Sequence, residues 1–177
     1  MGYNLSGMKL YTKTGDKGTT GTMQGRMGKG EQLAVALGTI DELNSWIGYC
    51  RSQNNNKSFE KELVRVQENL LTIGSGLAGS GLKISGSEVT RLEKLIDKLS
   101  GELPKLSKFI FPYGPMHVAR TVARRAEREL VKALETTDVL TNKKVMLKYL
   151  NRLSDALFVL ARKINFEYNT VEQTWQK

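Results

Sequence analysis

The sequence predicts an all-α fold, a five-helix bundle preceded by an ordered loop rich in glycine and threonine. Three observations carry this. Apolar residues recur at spacings of three and four through five separate segments, the mark of a buried helix face. Pro104, Pro112 and Pro115 all fall between the third and fourth of those segments. Residues 9–30 carry no such period and are punctuated by glycine.

In chain order, residues 9–30 (KLYTKTGDKGTTGTMQGRMGKG) read as a loop with a short strand at Lys9–Tyr11. The first helix follows from Glu31, with Leu33, Leu37, Ile40, Leu43 and Ile47 on one face, and frays near Asn54-Asn55-Asn56. Ser58 is placed to cap a second helix whose stripe is Leu63, Val66, Leu70, Ile73 and Leu77. That helix ends in the glycine- and serine-rich stretch from Gly74 to Gly86. Ser85 and Glu88 have capping-box spacing and open a third helix through Val89, Leu92, Leu95, Ile96 and Leu99. A fourth helix covers about 115–136 and a fifth about 140–168, the latter with Val145, Leu147, Leu150, Leu153, Leu157, Leu160 and Ile164 apolar.

At 177 residues the chain suits one domain burying roughly 70% of its unfolded surface, divided as loop 1–30 and bundle 31–168 within a single domain 1–177. Forty per cent hydrophobic and 25% charged residues exclude wholesale disorder. No apolar run is long enough to span a bilayer, and the N-terminus lacks the apolar core of a signal peptide. Cys50 is the single cysteine, so neither a disulfide framework nor a cysteine metal site is expected. These features predict no membrane partner and a reducing, cytoplasmic setting. A formal charge of +9 favours an anionic partner, a polyphosphate or a nucleic acid.

Four polar features stand out. Thr12-Lys13-Thr14-Gly15-Asp16-Lys17-Gly18-Thr19-Thr20 has the glycines, lysines and hydroxyls of a phosphate cradle, although composition also permits a plain surface turn and no Walker A spacing occurs. Arg120, Arg124 and Arg128 lie four apart on one helix face, with Arg125 and Glu127 beside them. Such a row either pairs with acids of the first helix or clamps phosphate through its planar guanidinium forks. Asp41 sits at the edge of the first helix's apolar stripe, either solvated or paired with an arginine of the fourth helix. Asn151, Ser154 and Asp155 share a face of the fifth helix, a polar surface stripe or a contact set. His117 has no cysteine or histidine neighbours in sequence and reads as a packed residue at a helix start, not a zinc ligand. Phe109, Phe111, Tyr113, Phe158 and Phe166 read as core, and their separation from the basic segments argues against nucleic-acid binding.

Together, YTKTGDKGTT, GTIDELNSWIG, ARTVARRAERELV and YLNRLSDALFVLAR resemble, in the same order, the blocks of the PduO-type ATP:cob(I)alamin adenosyltransferases, over roughly residues 9–168. The resemblance implies a five-helix bundle assembled as a homotrimer with active sites between subunits. It implies transfer of the 5′-deoxyadenosyl group of ATP to Co(I) of reduced cobalamin, releasing triphosphate, with Mg²⁺ accompanying the nucleotide. Carried over by motif, Thr12, Lys13, Thr14, Gly15 and Thr20 would bind ATP, with Lys29 closing the loop. Arg124, Arg125, Glu127, Arg128 and Asn151 would join them. Arg120 matches the arginine that pairs across the subunit boundary with the aspartate matching Asp41, and Arg124, Arg120 and Asp41 form the catalytic set. Asp155 would support the arginine network. Phe109 would face the lower side of the corrin, favouring four-coordinate cobalt, and Phe158 would line the same apolar pocket. The resemblance assigns no particular residues to the metal, which is left unknown. Where relatives carry Pro-Gly-Gly-Ser and further small residues, this chain has the shorter Phe111-Pro112-Tyr113-Gly114-Pro115-Met116-His117. That departure favours the alternative reading, a non-catalytic ATP- or corrinoid-binding protein with this fold.

Overall fold

In the computed structural model, which describes residues 11–54, 57–136 and 142–176, a two-stranded hairpin precedes five helices. The hairpin is β1 (Thr19–Thr22) and β2 (Gly25–Gly28), antiparallel with Thr19 opposite Gly28 and Thr22 opposite Gly25. The helices are α1 (Gln32–Gln53), α2 (Glu60–Leu77), α3 (Gly86–Glu102), α4 (Pro115–Glu135) and α5 (Lys143–Glu167). The hairpin falls inside the segment expected to be loop, because threonines alternating around a two-residue turn give too short a pattern to separate strand from coil. Tyr11 is not in a strand, and the rest of the expected Lys9–Tyr11 strand lies outside the described residues, as do Asn55 and Asn56 and the expected start of α5 near residue 140.

The helices pack in the order α2, α1, α4, α5, α3, so α4 is wedged between α1 and α5. Its inner face makes that possible: Ala119, Ala123, Ala126 and Ala133 are fully buried, and their short side chains let the neighbouring backbones approach. The arginines of α4 occupy the remaining faces. The predicted stripes are the core: Ile40, Leu43 and Ile47 of α1, all five stripe residues of α2, and Leu150, Leu153, Leu157 and Leu160 of α5 are buried. Leu33, Leu37, Leu95, Ile96, Val145, Leu147 and Ile164 pack against it half-buried.

Side chains close the ring between α2 and α3. Arg65 donates to both carboxylate oxygens of Glu88 at 2.8 and 2.6 Å, and Asn69 bridges Glu88 to the buried Tyr149 hydroxyl of α5. Glu88 therefore does not complete a capping box. Ser85 caps α3 through the Ser87 amide, while the Glu88 carboxylate turns inward to meet a cation from another helix. Ser58 likewise is not the cap of α2: Phe59 occupies that position, and the Ser58 hydroxyl bonds Glu167 instead.

Of the five aromatics expected in the core, Phe109, Phe111, Tyr113 and Phe166 are exposed and only Phe158 is half-buried. The first three lie on the connector between Leu103 and Gly114, which runs over the surface, and Phe166 is on the outer side of the last turn of α5. The chain after α5, beyond the expected end of the bundle, is ordered against that connector.

The Arg65 hydrogen bonds hold the Glu88 carboxyl at about 2, below its ordinary 4.5, against the opposing effect of burial. A carboxylate with a depressed folded-state pKa stabilises the protein above its unfolded value and loses that contribution as pH falls. Urea unfolding should therefore show stability from this pair declining from about pH 4.5 towards pH 2. Glu88→Gln should be less stable at pH 7 and lose less on going to pH 3. Equal acid losses in the two proteins would contradict the assignment.

Candidate active site

The first cluster is built on the hairpin. Lys13 adopts φ 59° and Gly18 φ 76°, so the chain between them folds into tight turns, closed by the Gly18 amide on the Gly15 carbonyl at 3.1 Å. The Lys29 amide returns to the Gly18 carbonyl at 2.9 Å and brings the second strand alongside. Gly15 faces this return: a Cβ there would stand 3.2 Å from the Thr19 carbonyl and 3.4 Å from the Lys29 ammonium. Lys29 thus reaches over Gly15, while Thr12 and Thr14 share a hydroxyl hydrogen bond of 2.8 Å and remain exposed. Thr20 is half-buried on β1.

Arg26 crosses the hairpin and donates to the Thr14 carbonyl and, at 3.2 Å through Nε, to the Thr19 hydroxyl. Glu31 accepts from the Gly28 amide at 2.7 Å. Both residues shape the loop, and sequence reading missed them because neither belongs to the glycine-lysine pattern. The tip of the hairpin is fixed too. The Met23 amide donates to the Ala78 carbonyl at 2.9 Å, and Gln24 packs so close to Gly79 (φ 96°) that a Cβ there would meet it at 2.8 Å. The glycine-rich end of α2 is therefore the seat of the hairpin.

The second cluster is on α4 and α5. Arg125 pairs with Glu42 of α1, which uses its charge inside the protomer. Arg124 and Arg128 are exposed and enter no ion pair among the described residues; the Arg128 guanidinium donates to the Arg124 carbonyl at 3.1 Å. The α4 arginines thus divide, Arg125 bracing α1 while Arg124 and Arg128 face outward. Glu127 accepts from Asn151 at 3.0 Å, and Asn151 accepts in turn from Arg152, itself bonded to Glu93. Ser154 is buried and spends its hydroxyl on the Asn151 carbonyl. Asp155 is exposed, with no ion pair among the described residues. The expected polar stripe on α5 is therefore reduced to Asn151 and Asp155.

The third cluster is a cleft of about 570 Å³ whose lining includes Phe109, Ile110, His117, Arg120 and Phe158. Phe158 meets His117 edge-on at 5.8 Å and carries the Arg120 guanidinium over its ring at 5.9 Å. Arg120 Nε is buried without a hydrogen-bond partner among the described residues. Burial, aided by Arg124, lowers its pKa from the ordinary value. His117 is 3% exposed, and neither ring nitrogen has a hydrogen-bond partner among the described residues. No group of three or more His, Cys, Asp and Glu side chains among the described residues could hold a metal ion.

Asp41 is exposed and lines a groove between α1 and α2 with Leu71, Gly74 and Ala78, so it does not meet Arg120 within the protomer. Nor does any hydrogen bond or ion pair among the described residues join the hairpin loop to Arg124 or Arg128. The hairpin loop is thus not bonded to the α4 arginines within the protomer, whereas Arg120 of the cleft lies one helical turn from Arg124 on α4.

Similarity to known proteins extends over most of the chain. The sequence profile described as cobalamin adenosyltransferase matches residues 10–164. The corrinoid adenosyltransferase of Bacillus subtilis is 42% identical over 171 residues, covering 89% of this chain and 87% of the relative. The corrinoid adenosyltransferase MMAB of Bos taurus is 40% identical, covering 96% of this chain and 76% of that one. Among solved structures, a variant PduO-type ATP:corrinoid adenosyltransferase from Lactobacillus reuteri, complexed with cobalamin and ATP and altered at one phenylalanine, superposes with a TM-score of 0.87. It has 33% identity and covers 96% of this chain and all of that one.

Burial pushes His117 down to about 4 from its ordinary 6.5, so the ring is neutral at pH 7. An imidazole buried uncharged binds its proton more readily when unfolded, so stability falls as pH drops from about 6.5 to about 4. Imidazole NMR should show a midpoint near 4 in the native protein, and a midpoint near 6.5 would place His117 in solvent.

Proposed function

The chain belongs to the cobalamin adenosyltransferase family, and from that premise we propose how its three surface clusters combine. It is a corrinoid adenosyltransferase: it transfers the 5′-deoxyadenosyl group of ATP to Co(I) of reduced cobalamin, giving adenosylcobalamin and inorganic triphosphate. In our reading the hairpin loop, through Thr12, Lys13, Thr14, Gly15, Thr20 and Lys29, cradles the nucleotide. Arg124 and Arg128 hold the triphosphate, with Glu127 and Asn151 fixing the segment between them. Arg125 contributes through its hold on α1.

The observation that carries this reading is the division of the arginine row. Two neighbouring guanidinium groups without acidic partners among the described residues suit an anion, and triphosphate is both the most charged part of the substrate and the leaving group. As Co(I) attacks the 5′ carbon and the C–O bond to triphosphate breaks, negative charge grows on the departing oxygen. Guanidinium donors already in place stabilise that charge more than the ground state. The electron pair comes from cobalt, so no general base is required. Mg²⁺ enters with ATP as part of the substrate, since triphosphate oxygens supply the hard ligands it prefers.

At the corrin end, Phe109 covers the lower face of the ring with Phe158 behind it. An apolar side chain there displaces an axial oxygen or nitrogen ligand and makes cobalt easier to reduce. The separation of the clusters supports sites that close between subunits of a homotrimer. The loop of one protomer would meet the α4 arginines of the next, and Asp41 of one would pair with the half-buried Arg120 of its neighbour. Asp155 would steady Arg124 and Arg128 from α5. We place the enzyme in the cytoplasm, where thiol-reducing conditions suit an unpaired, buried Cys50.

An anaerobic assay with chemically reduced cobalamin and MgATP tests the reaction directly, through ATP-dependent loss of the Co(I) bands and appearance of light-sensitive product. Arg124→Ala should lower kcat about a hundredfold, the loss expected for a transition-state charge contact of about 3 kcal/mol. Near-normal kinetics would remove Arg124 from the site. Sedimentation of the wild type should give a trimer, and Asp41→Asn should weaken assembly or activity; a monomeric wild type would refute the shared site.

A further inference from the structure

The segment bearing Phe109 is a surface connector, and its hold on the protein comes largely from residues beyond the bundle. The Trp175 amide donates to the Phe109 carbonyl at 2.8 Å, and the Phe111 amide donates to the Gln173 carbonyl at 2.9 Å. Ile110 and Thr174 face each other between them in an antiparallel bridge. The C-terminal tail is thus a second strand laid along residues 109–111. The Phe109 side chain itself remains 80% exposed beside the cleft, so its position follows from its backbone and not from packing.

The tail is held by one buried cation. Arg162 of α5 is 5% exposed and grips both carboxylate oxygens of Glu172, at 2.7 and 2.9 Å. The same guanidinium donates to the Pro104 carbonyl at 2.9 Å, at the start of the connector. Arg162 therefore ties the root of the connector and the root of the tail to one point on the bundle. Asn165 fixes the connector's other end through the Tyr113 carbonyl at 3.2 Å. Such a bidentate pair has a defined geometry that a single ammonium contact would lack.

We propose that Glu172 and the 171–175 tail are positioning elements for the corrinoid half-reaction: the Arg162–Glu172 pair docks the tail, and the tail's backbone holds Phe109 over the corrin. This rests on the reading that Phe109 faces the corrin. The tail acts through its backbone bonds to residues 109–111.

The test uses full-length protein with cob(II)alamin and MgATP, following conversion to the four-coordinate species by absorption and electron paramagnetic resonance. Glu172→Gln breaks the docking pair. Trp175→Pro removes the amide donor to Phe109, together with the indole, and leaves Arg162 with its partner, so it reports on the tail even if the first variant folds poorly. Both should lower the four-coordinate fraction and kcat about tenfold, as Phe109→Ala should, with KM for ATP unchanged. Trp175→Phe, which keeps the amide, should restore the spectrum.

Tail variants with a wild-type four-coordinate fraction, and a lower melting temperature at most, would overturn the proposal while leaving Phe109 in place. If Phe109→Ala itself matches the wild type, the premise fails and the proposal falls with it. The two failures are therefore distinguishable.

Discussion

The bundle depends on the alanine face of α4. A helix flanked on two sides by others must present small side chains to both, and Ala119, Ala123, Ala126 and Ala133 do so with no exposed surface. A larger residue at any of them would push α1 or α5 outward, and overpacking of that kind typically costs 1–3 kcal/mol. The consequence reaches the chemistry. Because the inner face is filled by alanine, every arginine of α4 is driven to the flanks or the outside. One of them is then close enough to α1 to meet Glu42, and two others are left pointing away from the fold. The same wedge sets His117 and Arg120 against Phe158 of α5, forming the wall of the cleft.

The helices were legible because each has an apolar stripe with the helical period, and burial enforces that period. Ends and polar side chains were less so. Ser58 and Glu88 have the residue types of caps, but each found a partner distant in sequence, and no local pattern encodes a bond from Ser58 to Glu167 or from Glu88 to Arg65. The β-hairpin escaped notice because β1 and β2 have four residues each and their pairing is stabilised by Arg26 and by docking on α2. The exposed aromatics of the connector were read as core on hydrophobicity alone, which is a one-way guide: large apolar side chains at a surface are ordinary where a ligand is to be covered.

The motifs mark the candidate segments, and the chain's internal bonding decides which of their residues remain available. Arg125 belongs to the same motif as Arg124 and Arg128 but is engaged within the protomer. Ser154 has the spacing of Asn151 and Asp155 but turns inward. The tail could not have been anticipated, since residues 168–177 carry no periodicity and only its pairing with residues 109–111 gives it meaning. The structure holds the connector with three tethers, at Pro104, Phe109–Phe111 and Tyr113.

The seating of Gln24 on Gly79 has a thermodynamic corollary. A loop free along its whole length would lose backbone freedom at every residue when it closed on a ligand, at about 1–2 kcal/mol per residue. Here the hairpin is held at its tip by Ala78 and Gly79 and at its waist by Arg26, so most of that entropy has already been given up during folding. In the proposed site, nucleotide capture would have only the largely exposed Thr12–Gly18 turn left to immobilise, and Gly79, by seating the hairpin, would set part of the loop's affinity.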